Sequence, residues 1–258
     1  MKIEIKNLGF SYPDGRQIFS NIDFTIEPGR VISILGPNGA GKTTLMSCIA
    51  NLLKPTEGGI LIDGVPTDKL TPREIAKHIG FVPQTIIPSF SFSVLEYVVT
   101  GCAPHLGTFE RPKQEHYDIA MQAIKDMGIE YLSEKSYSAI SGGERQQVSI
   151  ARALAQHPSI ILLDEPTAHL DYGNQIKVLR TAKRLSEEGY GVVFTTHNPD
   201  HVLLLDDQIA VLNRQGKLVF GTCDEIIDEE FLCNLYGTDL RLMDIEEIHR
   251  RICVSPRI

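Results

Sequence analysis

A glycine-rich segment near the start of the chain carries a lysine and a threonine at a spacing that suits a polyphosphate. It reads Gly36-Pro37-Asn38-Gly39-Ala40-Gly41-Lys42-Thr43, is followed by Thr44, and fits the pattern GxxxxGK[ST]. Glycines let backbone N–H groups wrap around phosphate oxygens, and a following helix directs its positive end at the anion. We expect Lys42 to reach the β and γ phosphates and Thr43 to offer a hydroxyl to Mg²⁺. The motif predicts nucleotide binding, against the alternative of a chance glycine-rich turn.

Two acidic residues follow an apolar run much later in the chain. Ile160 to Leu163 leads directly into Asp164 and Glu165. Ligands of open α/β sheets bind at the carboxyl ends of the strands. We therefore expect Asp164 to hold Mg²⁺, and Glu165 to polarise a water that attacks the γ-phosphate. The alternative is that Asp164-Glu165-Pro166 only closes a strand with a solvated turn.

A third segment combines a serine with two glycines ahead of a predicted helix. It contains Ser141, Gly142, Gly143 and Glu144. A helix that begins in this way presents a second anion-receptive N-terminus, although one nucleotide per chain requires only one. The alternative is an ordinary serine N-cap after a flexible turn. We refer to residues 141–144 as the signature segment.

The apolar periodicity indicates the elements that must position these residues. Residues 3 to 35 are predicted to be strands, and the pattern becomes helical after Gly41 through Leu52. Further strands are predicted at Ile60 to Ile62, Gly80 to Val82, Ile160 to Leu163, Val192 to Thr195, Ile209 to Leu212 and Leu218 to Phe220. Strands that alternate with helices favour a largely parallel sheet with helices on both faces, and hence an α/β fold.

Two capping boxes and a change of pattern predict the helices. Thr71 with Glu74, and Ser93 with Glu96, have the spacing of a helix start. From about residue 88 to residue 156 helical signals replace strand signals, so this middle third is predicted to be a helical insertion. The tail after Leu240 is predicted to be a short polar helix or partly disordered.

Composition narrows the classes of function. The 258 residues are 42% hydrophobic, which is typical of a globular chain, and 25 basic against 33 acidic residues give a net charge of -8. This balance argues against a dedicated nucleic-acid partner. The chain has neither an apolar run of about 18 residues nor an apolar core at its start, so we expect no membrane span and no secretory signal.

The order of the three motifs resembles the nucleotide-binding subunit of ATP-binding cassette (ABC) transporters, over about residues 2 to 236. The resemblance implies a P-loop NTPase (RecA-like) core with a mostly parallel sheet, N-terminal antiparallel strands and an inserted α-helical subdomain. One ABC ATPase domain is then expected over residues 1–240. Its core would comprise 1–87 and 157–240, its helical subdomain 88–156, and residues 241–258 would form a C-terminal tail.

The same resemblance implies roles for four further residues. Tyr12 resembles the aromatic that stacks on adenine, with strand-end packing as the alternative. Gln84 resembles the Q-loop glutamine that contacts Mg²⁺ and water, with a surface turn as the alternative. His197 resembles the switch histidine that hydrogen-bonds the γ-phosphate, and a structural histidine is the alternative. Asp171 resembles the D-loop aspartate, and a helix N-cap is the alternative.

The implied function is that of an importer ATPase with ATP and Mg²⁺ as cofactors. In the family, two ATPase subunits form a homodimer in which the signature segment of one subunit caps the ATP held by the other. The dimer drives two permease subunits at the cytoplasmic face of the membrane and is served indirectly by a substrate-binding protein. A soluble ABC ATPase of translation or DNA repair is the alternative class.

The cargo and the docking site are also suggested by resemblance. Residues 98–107, together with 168–171 and 174–175, are similar to importer ATPases for iron-siderophore, haem and cobalamin, and to relatives that handle molybdate. Cys102 stands where that group has an arginine. A groove along Gln84 to Tyr97, with Phe90 as an apolar anchor, is the expected docking site of the permease.

Overall fold

The structure, a computed structural model, describes residues 1–84, 92–107 and 109–256. Strands β1 to β12 cover Ile3–Ser11, Gln17–Ile26, Val31–Leu35, Glu57–Ile62, Val65–Pro66, Ile79–Val82, Ile160–Leu163, Gly191–Thr196, Gln208–Leu212, Leu218–Thr222, Arg241–Ile245 and Arg250–Val254. Helices α1 to α9 cover Lys42–Ile49, Pro72–Ala76, Val94–Val99, Gln114–Asp126, Gly142–Leu154, Tyr172–Glu187, Pro199–Leu205, Cys223–Ile226 and Glu229–Tyr236. Short 3₁₀ helices lie at Thr67–Lys69, Thr100–His105, Glu130–Leu132, Tyr137–Ala139 and Glu246–Ile248.

A six-stranded sheet in the order β10-β9-β3-β8-β7-β6 carries the predicted chemistry. Strands β9, β3, β8, β7 and β6 run parallel to one another, and β10 is antiparallel to β9. Every residue of β3, β7 and β8 is buried, because α5 and α6 pack on one face of the sheet, and α1 with strands β1, β2 and β4 packs on the other. Burying an aliphatic side chain of this kind contributes about 1.5–3 kcal/mol.

The register of this sheet brings four strand ends to one edge. Leu35 at the end of β3 pairs with Thr196 at the end of β8, and Leu163 at the end of β7 pairs with Val82 and Phe194. The segments that follow these strands therefore leave the sheet side by side. They carry the glycine-rich loop, the acidic pair, the glutamine and the histidine that were singled out from the sequence.

A second, antiparallel sheet in the order β2-β1-β4-β5 forms the N-terminal part of the fold. Ile22, Phe24 and Ile26 of β2 are buried and alternate with more exposed residues, so this sheet buries one face. The mixture of a mostly parallel sheet with antiparallel N-terminal strands confirms the predicted fold class.

The middle of the chain is helical in the ranges that the structure describes. Both predicted capping boxes are present: the Thr71 and Ser93 hydroxyls accept hydrogen bonds from the backbone N–H groups of Glu74 and Glu96, and the two glutamate side chains bond back. Helices α3, α4 and α5 pack around a cluster in which the Tyr97 and Tyr137 rings stack at 4.1 Å. Cys102, only 1% exposed, belongs to this apolar cluster.

The prediction for the tail was wrong, because residues 241–254 form an antiparallel β-hairpin. Leu242 of β11 pairs with Cys253 of β12, and both side chains pack on the cluster around α9. The Leu242 N–H donates to Glu229 Oε1 at 3.0 Å, and the Cys253 N–H donates to Asp200 Oδ1 at 2.9 Å. The many charged residues of this segment suggested a polar helix, but hydrogen bonds to the distant residues Glu229 and Asp200 stabilise two strands instead.

Within residues 1–84, 92–107 and 109–256, no helix combines the length and apolar character that crossing a bilayer requires.

Candidate nucleotide-binding site

The glycine-rich loop connects β3 to α1 and is shaped by close backbone approaches. A Cβ on Gly36 would lie 2.3 Å from the Leu212 carbonyl oxygen, so a side chain is excluded there. Gly41 has a φ of 103° and ends the loop as the residue before α1. A Cβ on Gly41 would lie 2.4 Å from Ile18 Cγ2. Glycine is therefore required at both positions, as the motif predicts.

Lys42, the first residue of α1, points back across this loop. Its side chain is only 4% exposed. Its Nζ donates to the Gly36 carbonyl at 2.9 Å and to the Pro37 carbonyl at 3.3 Å. The third partner is Glu165 Oε1, at 3.0 Å. The ammonium group is held where a phosphate cradled by the loop would meet it.

Three predicted site residues, Lys42, Gln84 and His197, converge on the carboxylate of Glu165. Its Oε1 pairs with Lys42, and its Oε2 accepts a hydrogen bond from Gln84 Nε2 at 3.2 Å. His197 Nδ1 lies 3.7 Å from the same Oε2. The backbone of Glu165 is in the left-handed region, with a φ of 42°, and its N–H donates to Thr195 Oγ1 at 2.6 Å. Strained backbone of this kind is found where surrounding structure fixes a functional side chain.

Asp164 lies deeper than Glu165 and is only 1% exposed. Burial raises its pKa, while hydrogen bonds from the Thr195 and Thr43 hydroxyls act in the opposite direction. Thr195 Oγ1 donates to Asp164 Oδ1 at 2.8 Å. A buried carboxylate beside the hydroxyl of Thr43 is a donor set that suits Mg²⁺, which prefers oxygen ligands and a few carboxylates. The residues present therefore fit the metal that the motif implies.

A cavity of about 400 Å³ opens above the loop. It is lined by Tyr12, Arg16, Ile18, Asn38, Gly39, Gly41, Lys42, Thr43, Thr44, Gln84 and Glu165. Ala40 is buried beneath the loop, and its N–H donates to the Pro37 carbonyl at 3.2 Å. The cavity combines polar groups at the phosphate loop with an aromatic ring, a combination that is common in small-molecule sites.

Tyr12 forms that rim together with a residue that the sequence analysis missed. The Arg16 guanidinium lies 5.1 Å from the centroid of the Tyr12 ring, and the Tyr12 hydroxyl is 3.3 Å from Thr44 Oγ1. Phe10 packs edge-on against the same ring at 5.0 Å. Arg16 follows Tyr12 in the turn between β1 and β2. A basic residue in that turn is the sequence feature that could have indicated its place beside Tyr12.

Thr195 is the second residue that the sequence analysis missed. It is fully buried, and its single hydroxyl bridges Asp164 Oδ1 and the N–H of Glu165. Strand β8 is apolar except for its last two residues, Thr195 and Thr196. Polar residues at the end of a buried strand are the sequence feature that could have indicated this role.

The signature segment begins α5, and Ser141 is the N-cap of this helix. The Ser141 hydroxyl accepts from the Glu144 N–H at 3.3 Å, and Glu144 Oε2 accepts from the Ser141 hydroxyl at 2.7 Å and from its N–H at 2.8 Å. Among the described residues, those that line the cavity of the phosphate loop include none of the signature segment.

Asp171 is the N-cap of α6 and lies beside the signature segment. Its Oδ1 accepts from the Asn174 N–H and its Oδ2 from Asn174 Nδ2, both at 2.8 Å. A Cβ on Gly143 would lie 2.9 Å from Asn174 Cγ, whereas one on Gly142 would meet nothing within 4 Å. Asn174 thus connects the start of α6 to the start of α5.

The loop after β8 carries one exposed and one buried histidine. The His197 side chain is 52% exposed. His201 is only 7% exposed, and burial lowers its pKa to about 4. His201 Nδ1 lies 3.1 Å from Thr196 Oγ1, which also accepts from the Asn198 N–H at 3.0 Å. His201 is therefore part of the support of this loop.

The predicted docking anchor Phe90 lies outside the described residues, as do the other residues between 85 and 91.

The sheet, its glycine-rich loop and the residues gathered at one sheet edge define a P-loop nucleotide-binding protein. The ABC transporter family model matches residues 19–168, and the chain belongs to this family. Members of the family that serve as ATP-binding subunits are ATPases coupled to transport.

Three relatives illustrate the similarity. The chain is 36% identical over 235 residues to the molybdate import ATP-binding protein MolC of Haemophilus influenzae, covering 91% of this chain and 87% of that protein. It is 33% identical over 241 residues to the hemin import ATP-binding protein HmuV of Nocardia farcinica, covering 93% and 82%. A solved chain described as part of a metal-chelate type ABC transporter in an inward-facing conformation superimposes with a TM-score of 0.87 at 33% identity, covering 99% of this chain and 97% of that chain.

Proposed function

We propose that this chain is the ATP-hydrolysing subunit of an ABC importer for a metal chelate such as iron-siderophore, haem or cobalamin. The observation that carries the proposal is the convergence of Lys42, Gln84 and His197 on the carboxylate of Glu165. The names of the hemin and metal-chelate relatives support the class of cargo. A molybdate-type oxyanion importer is the second candidate, and the similarity to MolC favours it.

ATP binding would begin with an exchange of partners at Lys42. The triphosphate would enter the cavity with its phosphates in the glycine-rich loop and its adenine against Tyr12. The β and γ phosphate oxygens would then replace Glu165 as the partner of the Lys42 ammonium group. The exchange would release Glu165 toward the water that attacks the γ-phosphate.

Hydrolysis would use Glu165 as general base. Its carboxylate would accept the proton of the attacking water as the water oxygen bonds to the γ-phosphorus and the bond to the bridging oxygen of ADP breaks. Gln84 would orient that water, and His197 would hydrogen-bond the γ-phosphate. When bound, Mg²⁺ would neutralise charge on the phosphate oxygens, and Thr43, Asp164 and Gln84 would hold it.

The signature segment would act on a second copy of the chain. One nucleotide needs one phosphate loop, yet α5 offers a further helix N-terminus that begins with Ser141 and two glycines. In a homodimer, Ser141, Gly142, Gly143 and Glu144 of one subunit would cap the ATP held by the other, with Asp171 at the same interface. Closure on two ATP molecules would drive two permease subunits, with this chain peripheral at the cytoplasmic face of the membrane and a substrate-binding protein supplying the cargo.

Mixed subunits test the shared site. Lys42→Ala breaks the phosphate loop of its own chain, and Ser141→Arg breaks the cap that its chain offers to a partner. A heterodimer of the two variants has one intact composite site and one doubly broken site. We expect neither variant alone to form ATP-dependent dimers, and an equal mixture to recover about a quarter of the wild-type sites, because half of random dimers are mixed. Full-rate hydrolysis by monomeric Ser141→Arg would contradict the proposal.

Reconstitution tests the cargo. Purified subunits with their permease in vesicles should show ATPase activity that rises when the binding protein carries its ligand. Stimulation by an iron chelate, haem or cobalamin would support the first candidate, and stimulation by molybdate alone would support the second.

A further inference from the structure

The C-terminal part of the chain contacts the loop that carries His197. Tyr236, the last residue of α9, donates a hydrogen bond from its hydroxyl to the His197 carbonyl oxygen at 2.8 Å. Gly237 follows in the left-handed conformation, with a φ of 68°, and ends the helix at this point. The contact spans 39 positions of sequence, so the fold itself brings the two residues together.

The hairpin holds the same loop at a second point. The Cys253 N–H of β12 donates to Asp200 Oδ1 at 2.9 Å. Asp200 lies in the first turn of α7, which begins directly after the histidine loop, and its own N–H donates to Asn198 Oδ1 at 2.9 Å. The C-terminal part of the chain therefore contacts this loop at His197, before Asn198, and at Asp200, after it.

The contacts of His197 divide between its side chain and its backbone. The imidazole Nδ1 lies 3.7 Å from Glu165 Oε2, while the carbonyl oxygen accepts the hydrogen bond from Tyr236. Burial raises the pKa of Tyr236, so the hydroxyl stays protonated and remains a donor at physiological pH. A fixed carbonyl restricts the peptide plane that sets the direction of the imidazole.

We propose that Tyr236 is a positioning residue that acts through the His197 backbone to aim the imidazole at the γ-phosphate. The inference rests on the proposed function of His197. It assigns α9 and the hairpin a part in the ATPase site, although both lie after the matched family segment of residues 19–168. ATP binding would not depend on Tyr236, since the phosphate loop and Lys42 lie on other elements.

Tyr236→Phe removes the hydroxyl and keeps the ring. We expect kcat for ATP hydrolysis to fall about tenfold, because a misplacement of about 1 Å at a catalytic group has effects of this order or larger. KM for ATP should stay within about twofold of the wild-type value, as expected when an interaction important only for the chemical step is lost. Tyr190→Phe is the matched control: this half-buried tyrosine directly precedes β8, whereas His197 directly follows it, and kcat should not change.

A double-mutant cycle separates positioning from general support of the fold. In a His197→Ala background, Tyr236→Phe should produce no further loss of kcat, because the group that it positions is gone. Hydrogen–deuterium exchange at 196–201 should also be faster in Tyr236→Phe than in the wild type or Tyr190→Phe. This measurement does not depend on activity.

Three results would overturn the inference: wild-type kcat in Tyr236→Phe, an equal loss of kcat in both backgrounds, or unchanged exchange at 196–201. Wild-type hydrolysis by His197→Ala would instead contradict the proposed role of the histidine. The experiments therefore distinguish an error in the proposed role of His197 from an error in the proposed role of Tyr236.

Discussion

Lys42 Nζ lies 3.0 Å from Glu165 Oε1, so the residue predicted to bind phosphate is paired with the residue predicted to activate water. The ion pair is well shielded, because the two side chains are only 4% and 13% exposed. In the proposed mechanism, a phosphate would displace this carboxylate from Lys42 before the carboxylate acts on water. Nucleotide binding would then be connected to the release of the proposed general base.

Glu165→Gln tests this connection. A neutral amide attracts the Lys42 ammonium group less than a carboxylate does, so phosphate competes with it more easily. We expect ATP affinity to rise severalfold, while single-turnover hydrolysis falls by about 10²–10⁴ because an amide cannot accept the proton. Trapping of a closed dimer should accompany the loss.

Glu188→Gln provides the matched control for this change. Glu188 forms an ion pair with Arg184 on α6, with both side chains far more exposed. Its removal should leave ATP affinity and hydrolysis unchanged. Near wild-type single-turnover hydrolysis by Glu165→Gln would refute the assignment of the general base.

Thr195→Val should lower the free energy of unfolding and disturb the acidic pair. Valine matches threonine in shape, but it leaves Asp164 Oδ1 and the Glu165 N–H without the hydroxyl that both bind at 2.8 and 2.6 Å. Unpaired buried groups cost about 1–3 kcal/mol each, so we expect the free energy of unfolding, measured with urea, to fall by roughly 2–6 kcal/mol. Thr181→Val, on the surface of α6, should change stability by less than about 0.5 kcal/mol. Equal effects of the two substitutions would refute the bridging role.

Continuous apolar runs and capping boxes made much of the fold predictable. Strand β7 covers Ile160–Leu163, the predicted range, because a fully buried parallel strand has no polar positions that blur its limits. The starts of α2 and α3 follow from the short-range hydrogen bonds of Thr71 and Ser93. These features depend on residues that are close in sequence.

Features that depend on distant residues were not predictable. The hydroxyl of Thr195 acts on Asp164 from a separate strand, and the left-handed backbone of Glu165 has no local sequence signal. The hairpin of residues 241–254 is stabilised by Glu229 and Asp200. The grouping of Gln84, Glu165 and His197 was expected only by resemblance, and the roles of these residues remain predictions.

Gly143→Ala should destabilise the contact between α5 and α6. The added methyl group would lie 2.9 Å from Asn174 Cγ and displace a side chain that also holds Asp171. Overpacking of this kind costs about 1–3 kcal/mol. Gly142→Ala is the control, because its methyl group meets open space and alanine is favoured over glycine in a helix by up to about 1 kcal/mol.

The double variant Gly143→Ala with Asn174→Ala should recover stability relative to Gly143→Ala, since the clashing atoms are removed. Thermal unfolding of the four proteins measures these differences. A Gly143→Ala variant as stable as Gly142→Ala would contradict the packing explanation.

The buried His201 should make stability depend on pH. Its pKa in the folded protein is about 4, lowered by burial first and by the nearby His197 second, whereas Asp200 acts to raise it. An unfolded histidine has a pKa of about 6.5, so between about pH 6.5 and 4 the unfolded chain binds a proton that the folded chain does not. Stability must therefore fall as the pH is lowered through this window.

His201→Gln removes the titrating group and should flatten this part of the stability curve. Between pH 7 and pH 4.5 the wild type should lose more unfolding free energy than the variant, as measured by urea unfolding at each pH. His249→Gln, at an exposed position of the C-terminal hairpin, is the control and should leave the wild-type slope in place. Parallel curves for wild type and His201→Gln would show that the pKa of His201 is the same in the folded and unfolded chain, and would contradict the lowered pKa.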